Sequence, residues 1–242
     1  MPEQPELTVV VPAFNEESNI PVMYQRLAAV LTDLVDGLEI IFVDDGSSDD
    51  TWKRIEDLAA EDTRVCGLRF ARNFGHQAAL TAGVDAARGR GVVIIDGDLQ
   101  DPPEVIPEMV ERWREGFEVV YGQREEREGE SWFKLTTAAV FYRILRGITH
   151  VEIPVDTGDF RLMGERAVTA FRALPERNRF IRGLVSWIGF PQTAVRYKRQ
   201  ARQTGETKFP IRKMLRFALD GITSFSFFPL RIATWTGFAV SL

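Results

Sequence analysis

The stretch DGDLQDPP at positions 96–103 places three carboxylates, Asp96, Asp98 and Asp101, within six positions, directly after four apolar residues and before two prolines. Like charges this close repel one another, so such a loop either receives a cation or is well solvated. In strand-like geometry residues i and i+2 point the same way, so Asp96 and Asp98, separated by Gly97, can face one site together. Hard divalent cations take oxygen ligands, and Mg²⁺ uses one or two carboxylates and completes its shell with phosphate oxygens. A second reading treats the stretch as the start of a helix, with Asp101 as its N-cap and the prolines in its first turn. The two readings coexist, with Asp98 as a metal ligand and Asp101 as a cap.

Other polar clusters accompany this one: PAFNEE (12–17), DDGSSDDT (44–51), RNFG (72–75) and GQREEREGE (122–130). In the second, Asp49 or Asp50 suffices for a turn or cap. The adjacent Asp44 and Asp45 exceed that need, and their oxygens can accept hydrogen bonds from a nucleobase N–H or ribose hydroxyls. Glu16 stands near a helix entry, where a carboxylate also complements the helix dipole. No glycine-rich phosphate loop of Walker or dinucleotide type follows the first apolar run, which argues against kinase, NTPase and dehydrogenase chemistry.

The elements that must position these clusters alternate. Continuous apolar runs at 7–12, 38–45, 65–71, 91–96 and 117–122 read as strands. Amphipathic stretches at about 21–34, 50–60, 76–88 and 103–116 read as helices between them. This alternation predicts a parallel sheet covered on both faces. Ligands bind such sheets at the carboxyl ends of the strands, and all five polar clusters fall there.

The chain has 242 residues, 45% hydrophobic and 11% aromatic, enough for one large domain with a substantial core. A single cysteine, Cys66, excludes an internal disulfide framework and reads as a small buried hydrophobe in the third strand. The net charge of -5 is unevenly spread, because the segment from Arg196 onward holds nine Lys/Arg against two Asp/Glu. That basic tail is interleaved with Phe, Leu and Ile, which suits an anionic membrane surface better than nucleic acid. Between 210 and 228 it reads either as an amphipathic helix at a membrane or as the interface of a homo-oligomer. The apolar run after Arg231 has eleven residues, where a spanning helix needs about 20; it reads as the start of a transmembrane segment. His76 and His150 lack metal-ligand spacing and are assigned no catalytic role. The Trp and Phe residues between 180 and 190 read as core.

Taken together, VVVPAFNEESNI, EIIFVDDGSSDDT, RNFGHQAALTAGVDAARG, IIDGDLQDPPE, YGQREEREGES, DTGDFRLM and GETKF with the SFSFFPLR tail resemble the family-2 polyprenyl-phosphate glycosyltransferases. These are similar to dolichyl-phosphate mannose synthase, and closer still to the GtrB-type undecaprenyl-phosphate glucosyltransferases. The resemblance implies an α/β GT-A (Rossmann-like) fold: a mostly parallel sheet with helices on both faces, plus C-terminal amphipathic membrane-interface helices. It implies a catalytic domain over 1–205, interface helices over 206–230 and a transmembrane start over 231–242. The implied reaction is inverting, metal-dependent transfer of a sugar, glucose from UDP-glucose, to a polyprenyl phosphate at the cytoplasmic face of the bacterial inner membrane. Alternatives are mannose from GDP-mannose, an aminoarabinose from its UDP donor, or a non-catalytic sugar-nucleotide binding module.

On individual residues, the resemblance implies that Pro12, Ala13, Glu16, Asp44 and Asp45 line the base and ribose. Asp96 and Asp98 form the Asp-x-Asp pair at Mg²⁺ or Mn²⁺, with Gln100 nearby. Asp159, in TGDF, sits under the reacting sugar, where it orients sugar or acceptor or takes a residual proton. Arg124, Arg127, Arg202 and Lys208 meet the acceptor phosphate. Without the resemblance, Asp159 reads as a turn or cap, and Arg124 and Arg127 as a solvated loop of mixed charge.

Overall fold

The computed structural model describes residues 4–125, 157–176 and 179–199, with Thr234, residues 236–238 and Ser241 near the C-terminus. The expectations for Arg127, His150, Arg202, Lys208 and residues 206–230 lie outside the described residues. One compact unit comprises Met1–Glu125 and Asp156–Gly205. Its strands are β1 (Leu7–Ala13), β2 (Leu38–Asp44), β3 (Val65–Arg69), β4 (Gly91–Ile94), β5 (Val119–Arg124), β6 (Thr157–Gly164) and β7 (Gln192–Tyr197). Its α-helices are α1 (Asn19–Leu31), α2 (Thr51–Glu61), α3 (His76–Ala86), α4 (Ile106–Arg114), α5 (Glu165–Arg172) and α6 (Ile181–Ile188). A 3-10 turn, Pro103–Val105, leads into α4.

The seven strands form one sheet in the order β3-β2-β1-β4-β6-β5-β7. Strands β1 to β4 are mutually parallel where they pair, as are β5 and β7. Only β6 is reversed, antiparallel to both β4 and β5. The sheet is therefore mixed and mostly parallel. The five strands read from the sequence are present; in β1 and β2 every residue is buried, whereas in β3 only Val65 is. β6 and β7 are additions that the apolar runs do not announce.

Side chains alternate across the sheet. Val9, Val11, Ile40, Phe42 and Val93 pack in one cluster with Ile20, Met23 and Leu27 of α1 and Met109 and Val110 of α4. On the opposite face α3 presses close at Gly83, where an added Cβ would meet the Val10 side chain and lie 3.2 Å from Val43 Cγ2. Neither valine has room to yield, since both are fully buried. Gly83→Ala is thus expected to destabilise the fold by about 1–3 kcal/mol through overpacking, despite the better helix propensity of Ala. Urea unfolding checks this, and an unchanged or higher midpoint would refute it.

Two sequence expectations are corrected here. Cys66 is exposed, because β3 is the edge strand of the sheet. Trp187 is also outside the core, at 59% exposure on α6, while Phe180 and Phe190 are half-buried.

Candidate active site

The site is assembled by the one reversed strand. In the β4–β6 ladder, Gly91 faces Gly164 and Ile94 faces Arg161. The same register, continued two residues, sets Asp96 opposite Asp159. Because β6 runs against its neighbours, its first residues reach the rim where β1 to β4 end, and TGDF joins the four polar clusters already there.

The loops of that rim are fastened to one another. Asn15, at φ 56, adopts the left-handed conformation that Asn tolerates. Its side-chain oxygen accepts from Ser48 N at 2.9 Å, and its own N–H donates to Ser47 Oγ at 2.9 Å. Glu16 N donates to Thr51 Oγ1 at 2.8 Å. Gly46, at φ +70, brings the β2 loop against RNFG so closely that a Cβ would sit 2.7 Å from Arg72 Cα. Asp45 is buried and accepts from Phe74 N at 2.7 Å and Gly75 N at 2.9 Å, which fixes the start of α3. Its carboxylate is engaged in holding the loop. Asp44 is likewise buried; Oδ1 accepts from Ser47 N at 2.9 Å, while Oδ2 has no hydrogen bond and lies 3.5 Å from Arg69 Nε. Gly97 packs on the first loop, 2.8 Å from the Pro12 carbonyl oxygen at the position a Cβ would take. Pro12, Ala13, Asp44 and the Asp-x-Asp stretch are therefore neighbours in space.

Leu99 shapes the Asp-x-Asp loop. It has φ 60, a conformation costly for a bulky L-residue, and its side chain is inserted into the core at 1% exposure. The left-handed penalty is about 1–2 kcal/mol, within what burying a Leu offsets. The turn it makes lets Asp98 Oδ1 accept from Gln100 N at 3.1 Å.

Asp159 is 2% exposed and surrounded by donors. Arg182 of α6 forks onto it, Nε to Oδ1 at 2.8 Å and Nη2 to Oδ2 at 3.2 Å. Gln77 Nε2 donates to Oδ2 at 3.1 Å, while Gln77 Oε1 accepts from Ile181 N at 3.0 Å. His76 Nε2 stands 3.3 Å from both Asp159 Oδ2 and Asp96 Oδ1. Burial opposes ionisation of Asp159, yet Arg182 and His76 outweigh it and hold its pKa well below the usual carboxylate range. Such a carboxylate is a weak base at neutral pH; it orients its partners. For His76, whose side chain is 45% exposed, partial desolvation of the ring would lower the pKa, but Asp96 and Asp159 raise it to about 9. Asp96 moves the other way from Asp159. Burial raises its pKa to about 6, with Asp101, Asp159 and Asp98 adding to the rise against the opposing pull of His76.

These features test the fit of a divalent cation. Asp96 Oδ1 is buried without a hydrogen bond, its approach to His76 being an ion-pair distance without hydrogen-bond alignment. A carboxylate so placed among three others gains from a hard cation. No three His, Cys, Asp or Glu side chains among the described residues are grouped as a self-contained metal site. Mg²⁺ and Mn²⁺ held by one or two carboxylates and substrate phosphates suit that arrangement, so Asp96 and Asp98 fit the ion.

Asp101 departs from the sequence reading. It caps nothing: the 3-10 turn Pro103–Val105 has Pro102 at its N-cap position and no side-chain cap. Asp101 is instead fully buried, accepting from the Tyr197 hydroxyl at 2.6 Å, with Arg199 Nε at 3.4 Å and Arg124 Nη2 at 3.8 Å. Among the expected residues, the structure thus brings Asp96 and Asp159 together around His76, and ties Arg124 to the Asp-x-Asp loop through Asp101. Sequence reasoning missed His76, Gln77, Arg182, Tyr197 and Arg199. For His76 and Gln77 a signal existed, since they follow RNFG at a strand end.

Comparison with known proteins agrees with this architecture. The sequence profile described as Glycosyl transferase family 2 matches residues 8–170. A relative from Bacillus subtilis, "Uncharacterized glycosyltransferase YkcC", is 51% identical over 98% of this chain and 73% of its own length. The "Bactoprenol glucosyl transferase" of Shigella phage SfV is 43% identical over 98% of this chain and 77% of its own. The "Prophage bactoprenol glucosyl transferase homolog" of Escherichia coli has the same identity and coverage. Among solved structures, glucosyl-3-phosphoglycerate synthase from Mycobacterium tuberculosis, in complex with Mn²⁺, UDP and phosphoglyceric acid, superposes with a TM-score of 0.66 at 21% identity, covering 90% of this chain and 76% of that one. That likeness shows a shared GT-A-like α/β fold. With the rim, the reversed strand and two thirds of the sequence all in accord, the chain belongs to glycosyl transferase family 2 and is a glycosyltransferase.

Proposed function

We propose that the protein transfers glucose from UDP-glucose to a polyprenyl phosphate, undecaprenyl phosphate in a bacterial cell, with inversion at the anomeric carbon and at the cytoplasmic face of the membrane. The observation that carries this reading is the meeting of two oppositely charged groupings at one rim: Asp96 with Asp98, and Arg182 with Arg124, around the ionised Asp159. The relatives named bactoprenol glucosyl transferase support the sugar and the lipid acceptor.

The residues account for the chemistry. An alkyl phosphate carries between one and two negative charges at neutral pH, by analogy with phosphoserine, and is already a nucleophile. No strong base is needed, in keeping with an Asp159 held ionised by Arg182. The site's task is to bring two anions together and to align attack on the sugar. Arg124 offers a cation to the incoming phosphate; burial disfavours its charge, but Asp101 and Tyr197 more than compensate and raise its pKa. Asp159, locked by Arg182 and Gln77, orients the sugar or acceptor. Asp44, Pro12 and Ala13 line the base and ribose side, while Asp45 and Glu16 hold the loops that shape it. A divalent cation held by Asp98 and Asp96 would neutralise the diphosphate leaving group. Arg127, Arg202 and Lys208 join the acceptor side in this proposal, and the basic C-terminal segment supplies the membrane surface. Among the described residues no helix is long and apolar enough to cross a membrane.

A direct test incubates the 242-residue chain with a short-chain prenyl phosphate in detergent, Mn²⁺, and either UDP-glucose or GDP-mannose. The expected product is a β-linked prenyl-phosphate glucose from UDP-glucose, seen by mass spectrometry and NMR. An α-linkage would reject inversion, and preference for GDP-mannose would replace the donor. No product from either donor, with Mg²⁺ as with Mn²⁺, would reject both donor assignments.

A further inference from the structure

We propose that Asp101, Tyr197 and Gly158 are positioning residues for a pair of guanidinium groups, Arg124 and Arg199, that together clamp the phosphate monoester of the acceptor. The inference rests on the transfer reaction proposed above and adds to it a second arginine and the means by which both are held.

Three elements converge at this cluster: the loop after β4, the end of β5 and the end of β7. Asp101 Oδ1 is shared, accepting from the Tyr197 hydroxyl at 2.6 Å and facing Arg199 Nε at 3.4 Å and Arg124 Nη2 at 3.8 Å. Tyr197 in turn accepts from Arg124 Nε at 3.4 Å. The tyrosine ring is fixed by an edge-to-face contact with Phe160, centroids 5.6 Å apart, and fits because Gly122 leaves space, a Cβ there lying 2.8 Å from Tyr197 Cε1. Tyr197 stays neutral, since burial and the Asp101 carboxylate both push its pKa up.

Among the described residues the charges do not balance. Two guanidinium groups face one described carboxylate, and the contacts are incomplete: Asp101 Oδ2 and Arg199 Nε are buried without hydrogen bonds. Arg124 and Arg199 keep 30% and 23% of their side chains exposed. With Nε of Arg199 buried, that exposure falls on its other atoms. A surplus positive charge carried on two planar forks suits a phosphate monoester, which presents up to two negative charges and several acceptor oxygens. Gly158 places the clamp beside the chemistry. Arg124 Nη2 lies only 2.7 Å from where a Cβ on Gly158 would be, so the guanidinium rests on the residue next to Asp159. Any side chain at 158 moves the far end of Arg124 while leaving the backbone free of strain. The same chemistry would suit the diphosphate of the donor, so the experiment separates the two.

The variants are Tyr197→Phe, Gly158→Ala, Arg199→Gln and Arg199→Lys. They avoid Asp101 itself, whose replacement in the interior threatens folding. KM for a short-chain prenyl phosphate in detergent is measured against kcat, and UDP binding with Mn²⁺ is followed by calorimetry. Loss of a charge-assisted hydrogen bond raises KM about ten- to a hundredfold in Arg199→Gln. The expected rise is smaller in Tyr197→Phe and Gly158→Ala, with kcat and UDP affinity little changed and with partial recovery in Arg199→Lys. A parallel loss of UDP affinity would assign the clamp to the donor diphosphate and overturn the proposal. An unchanged KM in all four would show a purely structural cluster and overturn it as well. If the wild-type protein makes no prenyl-phosphate product, the transfer reaction fails first. The clamp is then decided by calorimetry with prenyl phosphate alone, where binding that Arg199→Gln weakens supports it and equal or absent binding rejects it.

Discussion

Asp159→Asn is expected to lower turnover by on the order of a hundredfold or more and to destabilise the fold at the same time. The substitution keeps the shape of the side chain but removes the charge that Arg182 and His76 face. Breaking a buried pair from one side costs about 3–5 kcal/mol, because the charge that faced the carboxylate loses that share of its compensation. Arg182 keeps 24% of its side chain exposed, so water recovers part of that loss and the lower end of the range applies. Turnover falls for a separate reason. Asp159 sets the positions of Arg182, Gln77 and His76, and misplacing a positioning group by about an ångström loses about a hundredfold. Urea unfolding and kcat, measured together at a temperature where the variant remains folded, separate the two effects. Adding Arg182→Gln to Asp159→Asn should recover part of that stability, because the guanidinium that faced the carboxylate is then removed with it, without recovering turnover. A single variant within threefold of wild-type kcat would remove Asp159 from the reaction.

Asp98→Asn is expected to weaken metal-dependent UDP binding by about a hundredfold while leaving the fold intact. The structure shows why the control is clean. The described contact of the Asp98 side chain is acceptance from Gln100 N at 3.1 Å, and an amide oxygen accepts the same bond. Leu99 continues to anchor the turn from the core. What disappears is the negative charge that a hard cation requires. Calorimetry with UDP plus Mn²⁺, and with UDP alone, distinguishes loss of a ligand from damage to the nucleotide pocket. Equal Mn²⁺-dependent affinity in variant and wild type would exclude Asp98 as a ligand.

The parts of this molecule that were legible in the sequence share one property: their signal is local. LTVVVPA and LEIIFVD read as buried strands because every residue belongs to one continuous run. The Asp-x-Asp pair stood out for the same reason. β6 did not, because TGDFRLMG buries Asp159 and Arg161 in mid-strand, and charged residues argue against an interior strand until their partners are known. Arg161 turns back on its own strand, donating to the Gly158 and Asp159 carbonyl oxygens, and burial lowers its pKa to about 10. The partners of Asp159 are remote. Asp159 depends on α3 and α6. β7 failed to register because QTAVRY is a short edge strand with little alternation. Asp101 was read as a cap from its neighbouring prolines, whereas its true partner, Tyr197, is 96 positions away. His76 looked isolated in sequence, and only the antiparallel register of β6 sets two carboxylates around it.

The reversed strand also fixes an order of events as the chain leaves the ribosome. β1 to β4 are complete by Ile94, but the neighbour that seals the far edge of β4 begins at Thr157. At about 5–20 residues per second, those intervening residues take roughly 3–13 seconds to synthesise. Throughout that interval Val92, Val93 and Ile94 form an unpaired apolar edge, the kind that templates association with other chains. The rim loops after β1 to β4 are thus made first, beside an open seam, and Asp159 arrives on the strand that closes it. Completion of the rim and protection from aggregation come in the same step.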